Sequence, residues 1–275
     1  MRRPSFEELG RALDEQRYFA DEGLLTAIHL ALVLERPLAL EGEPGVGKTE
    51  VAKVLAAILG RELIRLQCYE GLDAAQALYE WDHPKQLLYA RTGEATDLYD
   101  ERFLLERPLL RALRSPGAVL LIDEIDRADS EFEAFLLEFL SDFQITIPEL
   151  GTIAAPTAPV VVMTSNRTRE LHDALKRRCL YHWIPFPDAD RERRIIAARA
   201  PGVSAAAAAS LVEAVASVRR LQLLKPPGIA ETIDWAHGAT VLSDAGVPWP
   251  TALRCSLGLL LKEAEDVEAA AALLT

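Results

Sequence analysis

The stretch Gly42-Glu-Pro-Gly-Val-Gly-Lys-Thr49 decides the fold, because it matches the pattern G-x-x-x-x-G-K-[S/T] at every fixed position. A short apolar segment at residues 37–41 precedes it, and residues 50–59 follow with apolar side chains at helical spacing. Repeated glycine lets successive backbone N–H groups wind around phosphate oxygens at the positive end of the following helix. The sequence therefore predicts a strand, a phosphate-binding loop and a helix, in that order.

The residues of this phosphate loop have different predicted roles. Lys48 should reach the β- and γ-phosphates of a nucleotide, and the hydroxyl of Thr49 should ligate Mg²⁺. In this part of the chain the predicted nucleotide-binding residues are Glu43, Pro44, Gly45, Val46, Gly47, Lys48, Thr49 and Glu50, and Asp123 and Lys225 complete the predicted set. An incidental glycine-rich turn is the competing interpretation of the pattern taken alone, and the helical period that follows argues against it.

Length and cysteine content indicate a globular protein of a reducing compartment. The 275 residues suit one large α/β domain and a smaller one. Cys68, Cys179 and Cys255 lie far apart and show no C-x-x-C spacing. The most apolar early run, residues 24–34, is too short to span a bilayer. We therefore expect a soluble cytoplasmic protein without a membrane span.

The charge balance bears on possible partners. The chain has 42 acidic and 30 basic residues, a net charge of −12. Proteins that bind nucleic acid along their surface normally show a basic excess, since neutralising phosphates supplies most of the affinity. The charge balance therefore disfavours nucleic acid as a partner, although a local basic cluster at residues 176–178 keeps that alternative open.

Five strand candidates alternate with helical stretches, which predicts a central parallel sheet with helices on both faces. The candidates are residues 37–41, 62–67, 118–123, 160–164 and 181–185. The continuous apolar run 118–122 is typical of a central strand that is buried on both faces. After residue 188 strand patterns stop, and four helical segments are predicted, at 190–200, 205–224, 229–242 and 251–264. The predicted division is an α/β core at 1–187 and a small all-α domain at 188–275.

Three local patterns lie inside the predicted core. Residues 143–153 indicate a β-hairpin just before the fourth strand. Ser130 and Glu133 form a capping-box pattern that predicts the start of a helix. Residues 70–91 fit neither a strand nor a simple helical period, so we expect an inserted loop or a broken helix there.

Polar side chains end two of the predicted strands at the edge where ligands bind in open parallel sheets. Asp123 should hold Mg²⁺, and the adjacent Glu124 should polarise the attacking water. Asn166 can both donate and accept hydrogen bonds, so it could sense the γ-phosphate and orient that water. Ordinary polar residues at strand ends are the competing interpretation.

Basic residues at two other places are candidate site residues. An arginine of the cluster Lys176-Arg177-Arg178 could be supplied to the nucleotide of a neighbouring subunit, where it would stabilise transition-state charge. A solvated basic corner explains the cluster as well. Lys225 could bring the small domain to a phosphate, but a lysine favoured by the dipole at a helix end is equally compatible.

Taken in order, the phosphate loop, the Asp-Glu pair, the strand-end Asn, the Arg pair and the helical lid resemble the AAA+ ATPases. The hairpin and the insert narrow the resemblance, over roughly residues 10–265, to the MoxR branch. Five stretches are similar to the subgroup associated with molybdenum hydroxylases such as carbon monoxide dehydrogenase: CYEGLD at 68–73, LYEWD at 78–82, ITIPE at 145–149, TSNRTRE at 164–170 and DALKRRCLYH at 173–182.

This resemblance implies roles for the site residues and a set of partners. Lys48 and Thr49 match the Walker A pair, Asp123 and Glu124 the Walker B pair, Asn166 the first sensor, and Arg178 the arginine finger, with Arg177 as the alternative. The implied cofactors are ATP and Mg²⁺. The implied assembly is a hexameric ring with ATP sites at subunit boundaries, which works with a von Willebrand A domain protein to remodel or mature a metalloenzyme client.

One position departs from that pattern. Where many relatives carry a second-sensor arginine at the start of a lid helix, this chain has Pro226-Pro-Gly-Ile-Ala-Glu231. Either Lys225 replaces that arginine or the lid senses nucleotide weakly.

Two other functions are compatible with parts of this pattern. One is a nucleic-acid motor or loader of the same fold, which the acidic charge disfavours. The other is a nucleotide switch. A GTPase would need an Asn/Thr-Lys-x-Asp guanine reader, which none of the lysines provides, so adenine is favoured.

Overall fold

The computed structural model describes residues 4–92 and 97–274 of the chain. Its strands are β1 (Leu38–Gly42), β2 (Leu63–Gln67), β3 (Tyr79–Trp81), β4 (Leu104–Glu106), β5 (Val119–Asp123), β6 (Gln144–Ile147), β7 (Gly151–Ala154), β8 (Val160–Ser165) and β9 (Leu180–Ile184). Its helices are α1 (Phe6–Glu15), α2 (Glu22–Leu34), α3 (Lys48–Leu59), α4 (Ala74–Leu78), α5 (His83–Thr92), α6 (Pro108–Arg114), α7 (Ser130–Asp142), α8 (Asp173–Arg178), α9 (Ala189–Arg199), α10 (Ala205–Arg219), α11 (Ile229–Asp244), α12 (Trp249–Cys255), α13 (Leu257–Leu260) and α14 (Ala264–Leu273). None of the helices in these ranges is long and apolar enough to cross a membrane.

The predicted five-stranded parallel sheet is confirmed, with the strand order β2-β5-β8-β1-β9. Strand β5 pairs in parallel with β2 on one side and with β8 on the other. All five of its residues are buried, as its continuous apolar sequence predicts for a central strand. Because neighbouring parallel strands end at the same edge, the carboxyl ends of β2, β5 and β8 lie side by side, with Gln67 opposite Asp123 in the register.

The contacts divide the chain into two compact units. The sheet unit comprises the residues up to Ala12, Asp21–Glu41 and Thr49–Trp183. The lid unit comprises Leu13–Ala20, Gly42–Lys48 and the residues from Ile184 onward. Most of the phosphate loop thus clusters with the C-terminal helices and not with the sheet. The domain division at residue 187 stays a prediction.

The insert is more regular than the sequence indicated. Its first part forms α4, capped by Asp73 with Gln76 completing a capping box. Strand β3 follows and pairs in antiparallel fashion with β4, which lies beyond the insert and was not predicted. The predicted hairpin is confirmed as β6 and β7, with Ile145 opposite Ile153.

The core of the lid unit surrounds Trp235, which is fully buried and donates its indole N–H to the carbonyl of Leu253 at 2.9 Å. A buried ion pair joins Arg219 on α10 to Glu192 on α9, with N–O distances of 2.9 and 3.0 Å. Burial raises the pKa of Glu192 above its ordinary value, although Arg219 opposes the shift.

The last predicted helix of the lid is interrupted. The sequence predicts one helix at 251–264, but α12 ends at Cys255 and α13 begins at Leu257. The hydroxyl of Ser256 donates to the carbonyl of Ala252 at 2.7 Å, a local bond that competes with continued helix.

Candidate active site

The phosphate loop has the backbone that a phosphate cradle requires. Gly45 and Gly47 have φ values of +77° and +94°, which favour glycine strongly. A Cβ on Gly42 would overlap the carbonyl oxygen of Ile184. The buried ammonium of Lys48 donates to the carbonyls of Gly42 and Glu43 at 2.7 and 2.8 Å. These contacts all lie within the lid unit, and they fit a loop that closes around an anion.

Thr49 and Asp123, the two predicted metal ligands, are brought together in the sheet unit. The Thr49 hydroxyl donates to Oδ1 of Asp123 at 3.0 Å. The hydroxyl of Thr164, from β8, donates to the same oxygen at 2.5 Å. Hydroxyl and carboxylate oxygens are the hard donors that Mg²⁺ prefers, so the donor set fits that ion.

Arg65 occupies the other oxygen of Asp123, a contact that the sequence analysis missed. Its Nε and Nη2 donate to Oδ2 at 3.0 and 2.6 Å. The Asp123 side chain is 3% exposed and that of Arg65 is 53% exposed. The sequence signal that could have revealed this contact is the alternation of side chains along β2. Ile64 and Leu66 are buried, whereas Arg65 and Gln67 face the other way.

Glu124, the predicted base, has an unusual backbone and two side-chain partners. Its φ is +55°, in the left-handed region that non-glycine residues rarely adopt. Its N–H donates to the Thr164 hydroxyl at 2.9 Å. Its carboxylate accepts from the amide of Gln67 at 3.1 Å and forms an ion pair with Arg127, whose Nε lies 3.0 Å away. Gln67 on β2 was not identified from the sequence.

Asn166 follows β8 and is held through its backbone by a third acid, Asp126, which the sequence analysis also missed. The N–H of Asn166 donates to Asp126 at 3.2 Å, and the N–H and hydroxyl of Thr168 donate at 2.9 and 2.6 Å. Burial alone would raise the pKa of Asp126, but these hydrogen bonds lower it below its ordinary value. Within the described ranges the side-chain amide of Asn166 has no hydrogen-bond partner.

The two candidate finger arginines differ in their contacts. Nη1 of Arg178 donates to the carbonyl of Leu137 on α7 at 2.7 Å, so its guanidinium is engaged within its own chain. Arg177 is exposed, and its guanidinium contacts no partner among the residues described. The backbone carbonyls of both accept from the guanidinium of Arg36, at 2.6 and 3.2 Å, which fixes the end of α8.

Lys225 is engaged inside the lid unit. Its ammonium lies 2.9 Å from the carboxylate of Glu263, which raises the pKa of Lys225. Asp266 accepts from the backbone N–H groups of Leu224 and Lys225 at 3.0 and 3.2 Å. The lid residue that bonds to the phosphate loop lies further along the chain, since the N–H of Ile229 donates to the carbonyl of Gly45 at 2.9 Å.

Comparison with known proteins gives a family and several relatives. A family described as the AAA domain, dynein-related subfamily, matches residues 37–179, more than half of the chain. Protein NorQ of Paracoccus denitrificans (strain Pd 1222) is 25% identical over 218 residues, which are 77% of this chain and 75% of NorQ. The uncharacterized protein SH1500 of Staphylococcus haemolyticus is 26% identical over 185 residues, 64% of this chain and 66% of that protein.

A partial relative and a solved structure add to this. Chaperone protein ClpB 2 of Parasynechococcus marenigrum is 35% identical over 129 residues, which are 46% of this chain and only 13% of that chaperone. The chain therefore spans a small part of the chaperones that it matches. A mutant of RuvB from Thermotoga maritima has a TM-score of 0.56 at 17% identity, covering 97% of this chain and 75% of that one. That likeness concerns the fold.

The family match covers both the phosphate loop and the strand that ends in Asp123 and Glu124. The similarity to Protein NorQ extends over a longer stretch, 77% of this chain. The chain therefore belongs to the AAA domain family, in the dynein-related subfamily, and is a P-loop ATPase.

Proposed function

We propose that this chain hydrolyses Mg-ATP at the phosphate loop and uses the energy to remodel a protein client. The observation that carries the hydrolytic part is the pairing of Thr49 with Asp123, next to Glu124, at the carboxyl edge of the sheet. A binding module would need only the loop. A metal anchor beside a candidate base is what turnover requires in addition.

Each residue has a role in this proposal. Thr49 and Asp123 would hold Mg²⁺, which neutralises phosphate charge when bound. Lys48 would leave the carbonyls that it now contacts and bind the terminal phosphates. Glu124 would take the proton from the attacking water after release from Gln67 and Arg127. Asn166 would orient that water through its side-chain amide.

The proposal includes a ring in which a neighbouring subunit completes the site. In this ring a neighbouring subunit would supply a cation to the far side of the γ-phosphate, a task that arginine performs well. Arg178 is the predicted finger, but its bond to Leu137 would first have to open. The exposed Arg177 needs no such step, so both arginines are tested below.

The proposed client is a metalloenzyme of the molybdenum hydroxylase class, such as carbon monoxide dehydrogenase, with a von Willebrand A domain protein as partner. Its support is the similarity to NorQ, together with the resemblance of five stretches to that subgroup: residues 68–73, 78–82, 145–149, 164–170 and 173–182. The partial similarity to ClpB chaperones supports protein remodelling more generally. The proposed location is the cytoplasm, as expected from the sequence, because the three cysteines are free.

The experiment that tests this function compares clients. Purified chain is assayed for ATP turnover alone, with an immature molybdenum hydroxylase plus its von Willebrand A partner, and with double-stranded DNA. We expect the protein pair to stimulate turnover and the Glu124→Gln variant to block maturation. Stimulation by DNA, with no response to protein clients, would favour the nucleic-acid motor, which the net charge of −12 disfavours.

A further inference from the structure

The first turn of helix α11 touches the phosphate loop backbone to backbone. The N–H of Ile229 donates to the carbonyl of Gly45 at 2.9 Å. A Cβ on Gly228 would lie 2.7 Å from Cα of Gly45 and 2.8 Å from the carbonyl oxygen of Pro44. A Cβ on Gly45 would lie 2.9 Å from Cα of Gly228. Two facing glycines are therefore what permits this approach.

The helix side of the contact is rigid. Gly228 is the N-cap of α11, and the carboxylate of Glu231 accepts from its N–H at 3.1 Å. The hydroxyl of Thr232 donates to the carbonyl of Gly228 at 2.9 Å. Thr232 also lies 3.4 Å from Glu192, the buried partner of Arg219. The first turn of α11 is thus tied into the ion pair in the core of the lid unit.

The loop side of the contact is the peptide between Gly45 and Val46, which belongs to the predicted phosphate cradle. The carbonyl of Gly45 and the N–H of Val46 belong to the same trans peptide, so they point in opposite directions. Because the carbonyl is bonded to Ile229, the N–H of Val46 points away from α11. Gly45 has a φ of +77°, which a free loop would hold only part of the time. A peptide that is already fixed loses less conformational entropy when a ligand binds, and this raises the affinity for that ligand.

We propose that Gly45, Gly228 and Ile229 form a glycine latch, which makes α11 a structural part of the phosphate cradle and lets the lid sense nucleotide; the latch rests on the proposed function of the loop as the nucleotide site. The latch takes the place of a second-sensor side chain: residues 226–231 contain no arginine, and Lys225 is engaged by Glu263. Linkage is reciprocal, so a latch that favours nucleotide binding is itself strengthened when nucleotide binds.

The test uses two glycines of the lid unit. Gly228→Ala places a methyl group against backbone atoms, whereas Gly258→Ala places one in open space and serves as the matched control. ADP and ATP affinities are measured by calorimetry, and amide exchange at Ile229 is measured with and without ADP. We expect Gly228→Ala to bind roughly 5- to 10-fold more weakly, the equivalent of one hydrogen bond, while Gly258→Ala binds normally.

Amide exchange separates sensing from simple structural support. In the wild-type chain ADP should slow exchange at Ile229, and in Gly228→Ala that protection should be lost. A wild-type chain that binds ADP without protecting Ile229, or equal affinities for the two variants, would overturn the latch. A wild-type chain that binds no nucleotide would contradict the proposed function instead.

A second pair of variants covers the case in which Gly228→Ala fails to fold. Proline is well tolerated at the first position of a helix, so Ile229→Pro removes the N–H donor and keeps the start of α11. Ile229→Ala removes similar packing but keeps the N–H. Weaker ADP binding by Ile229→Pro than by Ile229→Ala supports the latch, and equal binding overturns it.

Discussion

Arg65 and Asp123 form a two-bond ion pair inside the site predicted for magnesium, with N–O distances of 3.0 and 2.6 Å to one carboxylate oxygen. The acid is almost fully buried, so a charge without a partner there would be costly. The guanidinium therefore compensates the carboxylate as the structure stands. It also means that Mg²⁺ and Arg65 draw on the same negative charge.

Removing this competitor should lower the Mg²⁺ concentration that the site needs. In Arg65→Met we expect half-saturation at about ten-fold less Mg²⁺, because one opposing positive charge has gone. Arg111→Met is the control, since Arg111 is similarly exposed and pairs with Glu62. Binding of a fluorescent ADP is titrated with Mg²⁺. An unchanged or higher Mg²⁺ requirement would show that Arg65 supports the ion and does not compete with it.

Gln67 should restrain the base. Its amide donates to the Glu124 carboxylate, and a carboxylate held in this way is less available to a water molecule. Gln67→Leu should therefore raise basal ATP turnover by roughly 2- to 5-fold, the equivalent of one ordinary hydrogen bond, with little change in KM. Steady-state kinetics checks this. Slower turnover with an unchanged KM would mean that Gln67 orients Glu124 productively.

Asp126 should stabilise the fold and position the Asn166 loop. Asp126→Asn replaces an acceptor by an amide that faces N–H donors, so unfolding free energy should fall by about 2 kcal/mol at pH 7. The folded-state pKa of Asp126 lies below the ordinary 3.8, so its contribution is present above about pH 4 and is lost as pH falls through the folded pKa. Urea unfolding at pH 7 and pH 3 measures the difference.

The pH dependence distinguishes an effect of the Asp126 charge from an effect of packing alone. If Asp126 acts through its charge, the gap between wild type and Asp126→Asn narrows in acid. A gap of equal size at both pH values would mean that the carboxylate charge is irrelevant. Turnover should also drop more than ATP affinity, because Asn166 is predicted to act on the water.

Mixing experiments should identify the arginine that serves a neighbour. Arg177→Ala and Arg178→Ala are each mixed with Lys48→Ala, which keeps its arginines but lacks the phosphate lysine. The true finger variant should be inactive alone and recover part of its ATPase activity in the mixture. If a variant is inactive and mixing does not restore its activity, the arginine acts within its own chain. The contact with Leu137 favours this outcome for Arg178.

The sequence predicted the sheet well because its signals are local. Continuous apolar runs and the phosphate-loop pattern are properties of neighbouring residues, and all five strands begin and end within about two residues of their predicted bounds. The fold prediction is therefore confirmed. The roles assigned to the site residues stay predictions.

The side-chain contacts that could not be predicted from the sequence depend on the register between distant segments. Arg65 and Gln67 meet the two acids only because β2 pairs with β5 in one register. Glu133 illustrates the same limit: it completes a predicted capping box, but in the structure Asp129 caps α7. Glu133 is instead fully buried, where Arg169 and the N–H of His172 bind it. Local pattern alone cannot distinguish these outcomes.

The central claim, hydrolysis of Mg-ATP at this site, is tested most directly by measuring ATP binding and ATP turnover on the same samples of wild type, Glu124→Gln and Lys48→Ala. The account predicts turnover by the wild type, ATP binding with turnover reduced about 100-fold or more in Glu124→Gln, and loss of both in Lys48→Ala. Turnover by Glu124→Gln at the wild-type rate would contradict it, because Glu124 would then not be the base.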